Sequence, residues 1–233
     1  MMNNFKQVFP NALTVLRMIS FLLVIIFLAI AASDIARLEE FHYIKSGDNG
    51  FTFWIVAGAI FTFSAVTDFL DGYLARKWNV VSTFGKFFDP IADKLLINLT
   101  LIVMAYYFPR MVPIYIVVIF IMRDTIVDAS RMFLASKGIV LPAHFSGKLK
   151  TVWQMIAILI LFFVTPFIVE VLPIKPDGAR KDAELAIYIT QIPLFISALF
   201  SIISGFHYGQ EVFKYILTNV KKKPKKQVAK NKK

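Results

Sequence analysis

The stretch TDFLDGYLARKWNVVSTFGKFFDPIADK, Thr67 to Lys94, places four aspartates between two apolar runs that are each long enough to cross a membrane. One carboxylate at the centre of a spanning helix costs about 2.5 to 3.5 kcal/mol on insertion scales. Four carboxylates without a shared task would therefore strongly oppose insertion. We expect them to have a common partner.

Helical periodicity groups these aspartates into two pairs. Asp68 and Asp71 are three residues apart. Asp89 and Asp93 are four apart, so each pair projects from one face of its own helix. The short basic turn between the helices makes them antiparallel neighbours, which brings the two acidic faces together.

The same faces carry little side-chain bulk. Gly72 and Ala75 lie four residues beyond the first aspartate pair, and Gly85 lies four residues before Asp89. Hard oxygen donors around open space suit Mg²⁺ or Mn²⁺. Two such ions in one site would form the clamp used for displacement at phosphorus.

Composition indicates a polytopic membrane protein. Of 233 residues 58% are apolar, and they occur in blocks rather than at the spacing of a soluble core. The chain has no cysteine, which excludes a disulfide framework, a metal-thiolate site and a cysteine nucleophile. No cleavable signal peptide is expected, because the first apolar run has full span length.

The apolar blocks predict an all-α protein with six transmembrane helices. The expected spans cover about residues 10–32, 51–76, 82–108, 112–135, 151–172 and 185–205. The first helix is expected to begin at Pro10, after a surface segment of residues 1–9. Residues 1–220 are interpreted as one membrane domain, and residues 221–233 as a lysine-rich tail too charged to fold.

The net charge of +11 is unevenly placed. With six spans, the basic groups of the N-terminal segment, of two connections and of the tail fall on one side, which identifies the cytoplasm. Both termini and the acidic site are therefore expected on the cytoplasmic side of a cell membrane. The charge is read as a topological signal, and no nucleic-acid partner is expected.

Eight residues stand at the spacing of a known signature: Asp68, Asp71, Gly72, Ala75, Arg76, Gly85, Asp89 and Asp93. The chain thereby resembles the CDP-alcohol phosphotransferases. The resemblance implies that CDP-diacylglycerol binds by its pyrophosphate, that an alcohol attacks the phosphorus carrying diacylglycerol, and that CMP leaves. It also implies two Mg²⁺ or Mn²⁺ ions, contact with membrane lipids and a homodimer.

The resemblance also implies residue roles. The metal ligands would be Asp68, Asp71, Asp89 and Asp93, and Asp93 would also be the catalytic base for the attacking hydroxyl. Four residues of the signature would contact CDP-diacylglycerol: Gly72, Ala75, Arg76 and Gly85. A single direct displacement is expected, because the chain offers no activated cysteine or Ser-His pair.

The segment PNALTVLR, residues 10–17, places Asn11, Thr14 and Arg17 along one polar edge of the first span. It resembles the opening segment of phosphatidylglycerophosphate synthases and of related cardiolipin synthases. The resemblance implies that this edge, with Asn11 and Thr14, lies beside the nucleotide-lipid pocket. The alternative reading is helix capping by Asn11 and snorkelling of Arg17 to the interface.

The fourth span ends in a charged stretch with Arg123, Asp124, Asp128 and Arg131. Phosphatidylglycerophosphate synthases commonly have Arg-Glu where this chain has Arg-Asp, then an arginine, then Gly-Lys-x-Lys-Thr, matched here by residues 147–151. The resemblance implies glycerol 3-phosphate as acceptor, a dianion whose candidate ligands are Arg123, Arg131, Lys148 and Lys150. The alternative is a buried network whose charges neutralise one another.

Other functions remain open at this point. Within the family, a cardiolipin synthase would use phosphatidylglycerol as acceptor, and a phosphatidylinositol-phosphate synthase is a more distant alternative. A divalent-cation transporter would also carry acids in its spans, although such sites tend to lie at the midplane between related halves, and no repeat is found. A noncatalytic scaffold would leave the glycine and alanine spacing unexplained.

Overall fold

The computed structural model describes the backbone of residues 2–35, 49–78, 83–142, 144–167 and 179–230. Side chains are described for residues 15–34, 49–68, 91–142, 144–167 and 185–218. Across these ranges the chain is helical and contains no strand. The long helices are α1 (Met2–Ile35), α2 (Asn49–Trp78), α3 (Thr83–Tyr107), α4 (Ile114–Ala135), α5 (Phe145–Phe163) and α6 (Ala179–Lys230).

Four described segments are long and apolar enough to cross a membrane: Val15–Asp34, Asn49–Asp68, Phe145–Phe167 and Leu185–Thr218. Large apolar side chains on these helices are exposed, including Leu22 and Phe206, as a lipid-facing surface requires. The predictions of an all-α fold and a membrane protein are therefore confirmed. Six spans were predicted, and these segments account for four of them.

The first compact unit comprises residues 1–117 and 155–194, in which α1 packs against α2 and α3. Its core contains Trp54, whose indole N–H donates to the carbonyl of Phe162 at 3.0 Å. A methyl group on Gly58 would lie 2.9 Å from Cβ and Cγ of Phe162. Only glycine allows α2 and α5 to approach this closely, which is the usual use of small residues between membrane helices.

A tight turn at residues 108–113 joins α3 and α4. The backbone N–H groups of Met111 and Val112 both donate to the carbonyl of Phe108, at 2.9 and 3.1 Å. The side-chain amide of Gln191 donates to the carbonyl of Arg110. The turn between α3 and α4 is thus stabilised by its own backbone hydrogen bonds and by Gln191 of α6.

The second compact unit comprises residues 118–154 and 195–233. In it α4 ends at Ala135 and is followed by Gly138, whose φ of 75° lies in the left-handed region. The N–H of Ile139 donates to the Leu134 carbonyl and that of Gly138 to the Ala135 carbonyl, both at 2.9 Å. This hydrogen-bond pair is the Schellman arrangement, which glycine allows at low steric cost.

Helix α5 begins at Phe145 and not at the predicted Thr151. The reason is local: the N–H of Gly147 donates to the carbonyl of His144 at 3.1 Å, and Nδ1 of His144 lies 2.8 Å from the hydroxyl of Ser146. His144 therefore occupies the capping position, which the sequence did not reveal. Lys148 and Lys150 consequently lie on a helix and not in a loop.

Other helix ends also differ from the expected ones, and α6 begins at Ala179 rather than at about residue 185. Helix α1 begins at Met2 and continues through Pro10, so the expected surface segment and the first span form one helix. Helix α6 continues to Lys230, into the expected unfolded tail, because lysine favours helices and elongation needs no new nucleus. The boundary at residue 220 stays a prediction.

The close contact at Gly58 predicts that Gly58→Ala lowers the melting temperature, because overpacking typically costs about 1 to 3 kcal/mol. The matched control is Gly209→Ala, where an added methyl group meets no heavy atom within 4 Å. That control should be neutral or slightly stabilising, because alanine has higher helix propensity than glycine. Tryptophan fluorescence during heating in detergent measures both, and equal melting temperatures would contradict the packing at Gly58.

Candidate active site

An arginine and two aspartates from three helices meet in the first unit. Nη2 of Arg17 lies 2.6 Å from Oδ1 of Asp68, and Nη1 lies 3.0 Å from Oδ1 of Asp93. The Arg17 side chain is 0% exposed, whereas the aspartate side chains are 35% and 40% exposed. The guanidinium therefore reaches the carboxylates from the buried side and leaves them accessible from the other.

The packing of α1 against α2 and α3 explains this meeting. Asp68 lies towards the C-terminal end of α2, and Asp93 lies in the first half of α3. The structure thus brings together one acid from each predicted pair. The snorkelling alternative for Arg17 is wrong, because its guanidinium points into the protein and pairs there with Asp68 and Asp93.

The remaining predicted residues of this site lie outside the described side chains. The backbone of α1, α2 and α3 passes through their positions, which are Asn11, Thr14, Asp71, Gly72, Ala75, Arg76, Gly85 and Asp89. Their roles stay predictions.

The described side chains indicate whether this site suits a divalent cation. Across the side chains that the structure describes, no three acidic or histidine residues group as a metal site, and the side chains of Asp71 and Asp89 are not among them. Asp68 and Asp93 supply carboxylate oxygens that pair with the Arg17 guanidinium, and both side chains stay partly exposed. Hard carboxylate oxygens in this position fit Mg²⁺ or Mn²⁺.

A second charged cluster lies in the second unit, around Asp124. Nζ of Lys150 lies 3.0 Å from both carboxylate oxygens of Asp124, and Nη1 of Arg123 lies 2.9 Å from Oδ1. The three side chains are 5%, 9% and 14% exposed for Lys150, Asp124 and Arg123. Arg123, Asp124 and Lys150 therefore form a buried ion-pair network of one carboxylate and two cations, and the role of Arg123 and Lys150 in acceptor binding stays a prediction.

Gly147 of the Gly-Lys-x-Lys-Thr motif, together with serine residues that the sequence did not indicate, supports this cluster. Nη2 of Arg123 donates to the hydroxyl of Ser204 at 2.5 Å, and a methyl group on Gly147 would lie 2.8 Å from that nitrogen. The hydroxyl of Ser197 donates to the Lys150 carbonyl at 2.8 Å. The signal that could have found them is a polar stripe on α6, with residues three or four apart: Ser197, Ser201, Ser204 and Tyr208.

Arg131 and Lys148 are the exposed members of the predicted acceptor set. Nη2 of Arg131 donates to the hydroxyl of Tyr208 at 2.6 Å, and its guanidinium carbon lies 5.0 Å from the centre of that ring. The same hydroxyl donates to the carbonyl of Pro142 at 3.1 Å and accepts from the N–H of His144 at 3.2 Å. Tyr208 therefore fixes an exposed guanidinium, which is a suitable anion ligand.

All four predicted acceptor cations belong to the second unit, but the structure separates them into two kinds. Arg123 and Lys150 are held against a carboxylate, whereas Arg131 and Lys148 face outward. Asp124 is the centre of the first group and was not among the predicted ligands.

Comparison with known proteins agrees with the signature. The family model for CDP-alcohol phosphatidyltransferase matches residues 7–204. A protein from Mycoplasma genitalium is 34% identical over 91% of this chain and 86% of its own length. One from Bacillus subtilis is 34% identical over 90% of this chain and 97% of its own, and one from Mycoplasma pneumoniae is 36% identical over 71% and 70%.

Each of these relatives is named CDP-diacylglycerol–glycerol-3-phosphate 3-phosphatidyltransferase. The family match covers far more than half of the chain and includes α1 to α5. It also includes Arg17, the signature aspartates and the Asp124 cluster. The chain belongs to the CDP-alcohol phosphatidyltransferase family.

Proposed function

We infer that this protein transfers the phosphatidyl group of CDP-diacylglycerol to glycerol 3-phosphate, giving phosphatidylglycerophosphate and CMP. The observation that carries the proposal is the meeting of Asp68 and Asp93, one acid from each half of the family signature, at an accessible position. The names of the relatives support the donor and the acceptor.

In the proposed reaction Asp68, Asp71, Asp89 and Asp93 would hold two divalent cations, which when bound neutralise the diphosphate and make its phosphorus open to attack. Asp93 accepts the proton of the attacking hydroxyl. The hydroxyl oxygen bonds to the phosphorus carrying diacylglycerol, the bond to the CMP phosphate breaks, and CMP leaves. Arg76 binds a donor phosphate, and the small residues of the signature admit the nucleotide to the backbone.

The acceptor half of the proposal concerns the second unit. Glycerol 3-phosphate brings a dianionic group that an uncharged alcohol lacks, so its site needs additional cations. Arg131 and Lys148 are exposed and suited to contact the phosphate directly. Arg123 and Lys150 lie on the same two helices, α4 and α5, and are proposed to add positive charge, while Asp124 pairs with both.

The proposed topology adds α3 and α4 to the four apolar segments, which gives six spans. The basic residues then lie on the cytoplasmic side with both termini. The acidic site would open towards the cytoplasm from within the cell membrane. The donor lipid could enter from the bilayer, where Asn11 and Thr14 are proposed to contact it, and the acceptor could enter from the cytosol. The homodimer stays a prediction.

The defining experiment is incubation of the purified full-length protein with CDP-diacylglycerol, Mg²⁺ or Mn²⁺, and a panel of acceptors. We expect metal-dependent release of CMP and formation of phosphatidylglycerophosphate with glycerol 3-phosphate alone. Formation of cardiolipin when phosphatidylglycerol is supplied would identify phosphatidylglycerol, and not glycerol 3-phosphate, as the acceptor. Absence of CMP release with every acceptor would contradict the transferase proposal and return the transporter and scaffold to consideration.

Asp93→Asn should lower kcat by about 10²-fold or more, because general base catalysis contributes about 10² to 10⁴-fold. The matched control is Glu211→Gln, which makes the same change of charge at an exposed pair with Lys214. Both variants are assayed at saturating substrates, and their melting temperatures establish folding. A wild-type kcat for Asp93→Asn would remove this residue from the proton transfer.

Arg131→Ala should raise the KM for glycerol 3-phosphate about tenfold or more, because a hydrogen bond to a charged group contributes about 1.5 to 3 kcal/mol. The KM for CDP-diacylglycerol should stay within about twofold, since this residue is not proposed to touch the donor. Lys214→Ala, at an exposed cation outside the proposed site, is the control. Equal increases in both KM values would move Arg131 to a structural role.

A further inference from the structure

Arg17 carries the strongest observation that the proposed reaction leaves unused. Its side chain is 0% exposed and extends from α1 to acids on two other helices. Removing a guanidinium from water is expensive unless opposite charges compensate it. The two carboxylates supply that compensation, so the burial of Arg17 depends on the acids.

The acids depend on Arg17 in the same way. Carboxylates that share one guanidinium lie close to each other, and two like charges at 4 Å repel by about 4 kcal/mol at an effective dielectric constant of 20. From the sequence, a divalent cation is the expected common partner of the acids of α2 and α3. Arg17 provides a positive charge from within the chain.

The direction of approach separates the guanidinium from a bound cation. Arg17 contacts Oδ1 of Asp68 and Oδ1 of Asp93 from the buried side, while each carboxylate stays more than one third exposed. A divalent ion that reached the accessible side would neutralise the same two carboxylates. The guanidinium and the divalent ion would then repel each other, and both would compete for the negative charge of Asp68 and Asp93.

We propose that Arg17 is the resident counter-charge of the acidic site: it holds Asp68 and Asp93 together without metal and opposes divalent-cation binding. This inference rests on the proposed function, because it requires that the acids bind a divalent cation. Its consequence is a chain that can insert and pack α1, α2 and α3 before metal binds. Arg17 is a positioning residue here, and no contact with substrate is assigned to it.

The test compares wild type with Arg17→Gln, which removes the charge, and Arg17→Lys, which retains it. Arg110→Gln is the control for loss of an exposed arginine elsewhere in the first unit. Mn²⁺ binding is measured on the full-length protein in detergent by electron paramagnetic resonance, and melting temperature is measured in EDTA and in Mg²⁺. Neither measurement requires turnover.

Arg17→Gln should melt below wild type in EDTA and show a larger rise in melting temperature with Mg²⁺. Its Kd for Mn²⁺ should fall by about tenfold, within the range typical of coupled sites. Arg17→Lys and Arg110→Gln should resemble wild type in their metal response. If Arg17→Gln is recovered only with Mg²⁺ present throughout purification, that rescue supports the proposal.

An equal Mg²⁺ response in wild type and Arg17→Gln would overturn the counter-charge role while leaving the proposed reaction intact. The counter-charge role would also be overturned if Arg17→Gln could not be recovered as folded protein either with or without Mg²⁺, while Arg110→Gln was recovered normally. Absence of Mn²⁺ binding and of any Mg²⁺ response in wild type would contradict the metal site and this inference together.

Discussion

The ion pairs of Arg17 with Asp68 and Asp93 are the constraint on which the first unit depends. They join α1, α2 and α3 through one buried guanidinium, at 2.6 and 3.0 Å. In a membrane an unpaired charge is expensive, so each of these residues is tolerated because the others are present. The same pairing fixes the separation of two acids that the proposed chemistry needs side by side.

In the second unit buried charges are also compensated by ion pairs, but between different residues. Asp124 pairs with two cations, and the hydroxyl of Ser204 on α6 accepts a further hydrogen bond from Arg123. Gly147 leaves room for that arginine beside α5. Packing by small and hydroxylated residues is typical of membrane helices, where no hydrophobic force draws helices together.

The sequence predicted the helices from local periodicity and apolar blocks, and it predicted that acids of α2 and α3 meet, as Asp68 and Asp93 do. It did not predict that Arg17 bridges Asp68 and Asp93, because the contact of Arg17 with Asp93 joins residues 76 positions apart in sequence and depends on how α1 packs. The start of α5 was missed because His144, a residue without a strong capping preference, occupies the capping position. The charged residues near Asp124 could be recognised in the sequence, but the hydrogen bond of Arg123 to Ser204 could not.

The most direct test of the central claim is the anomalous scattering of Mn²⁺ in crystals of the full-length protein. The account predicts two peaks between α2 and α3, on the side of Asp68 and Asp93 opposite Arg17, within ligand distance of both carboxylates. Mn²⁺ bound elsewhere, or these carboxylates facing the acyl chains with Arg17 apart from them, would contradict it.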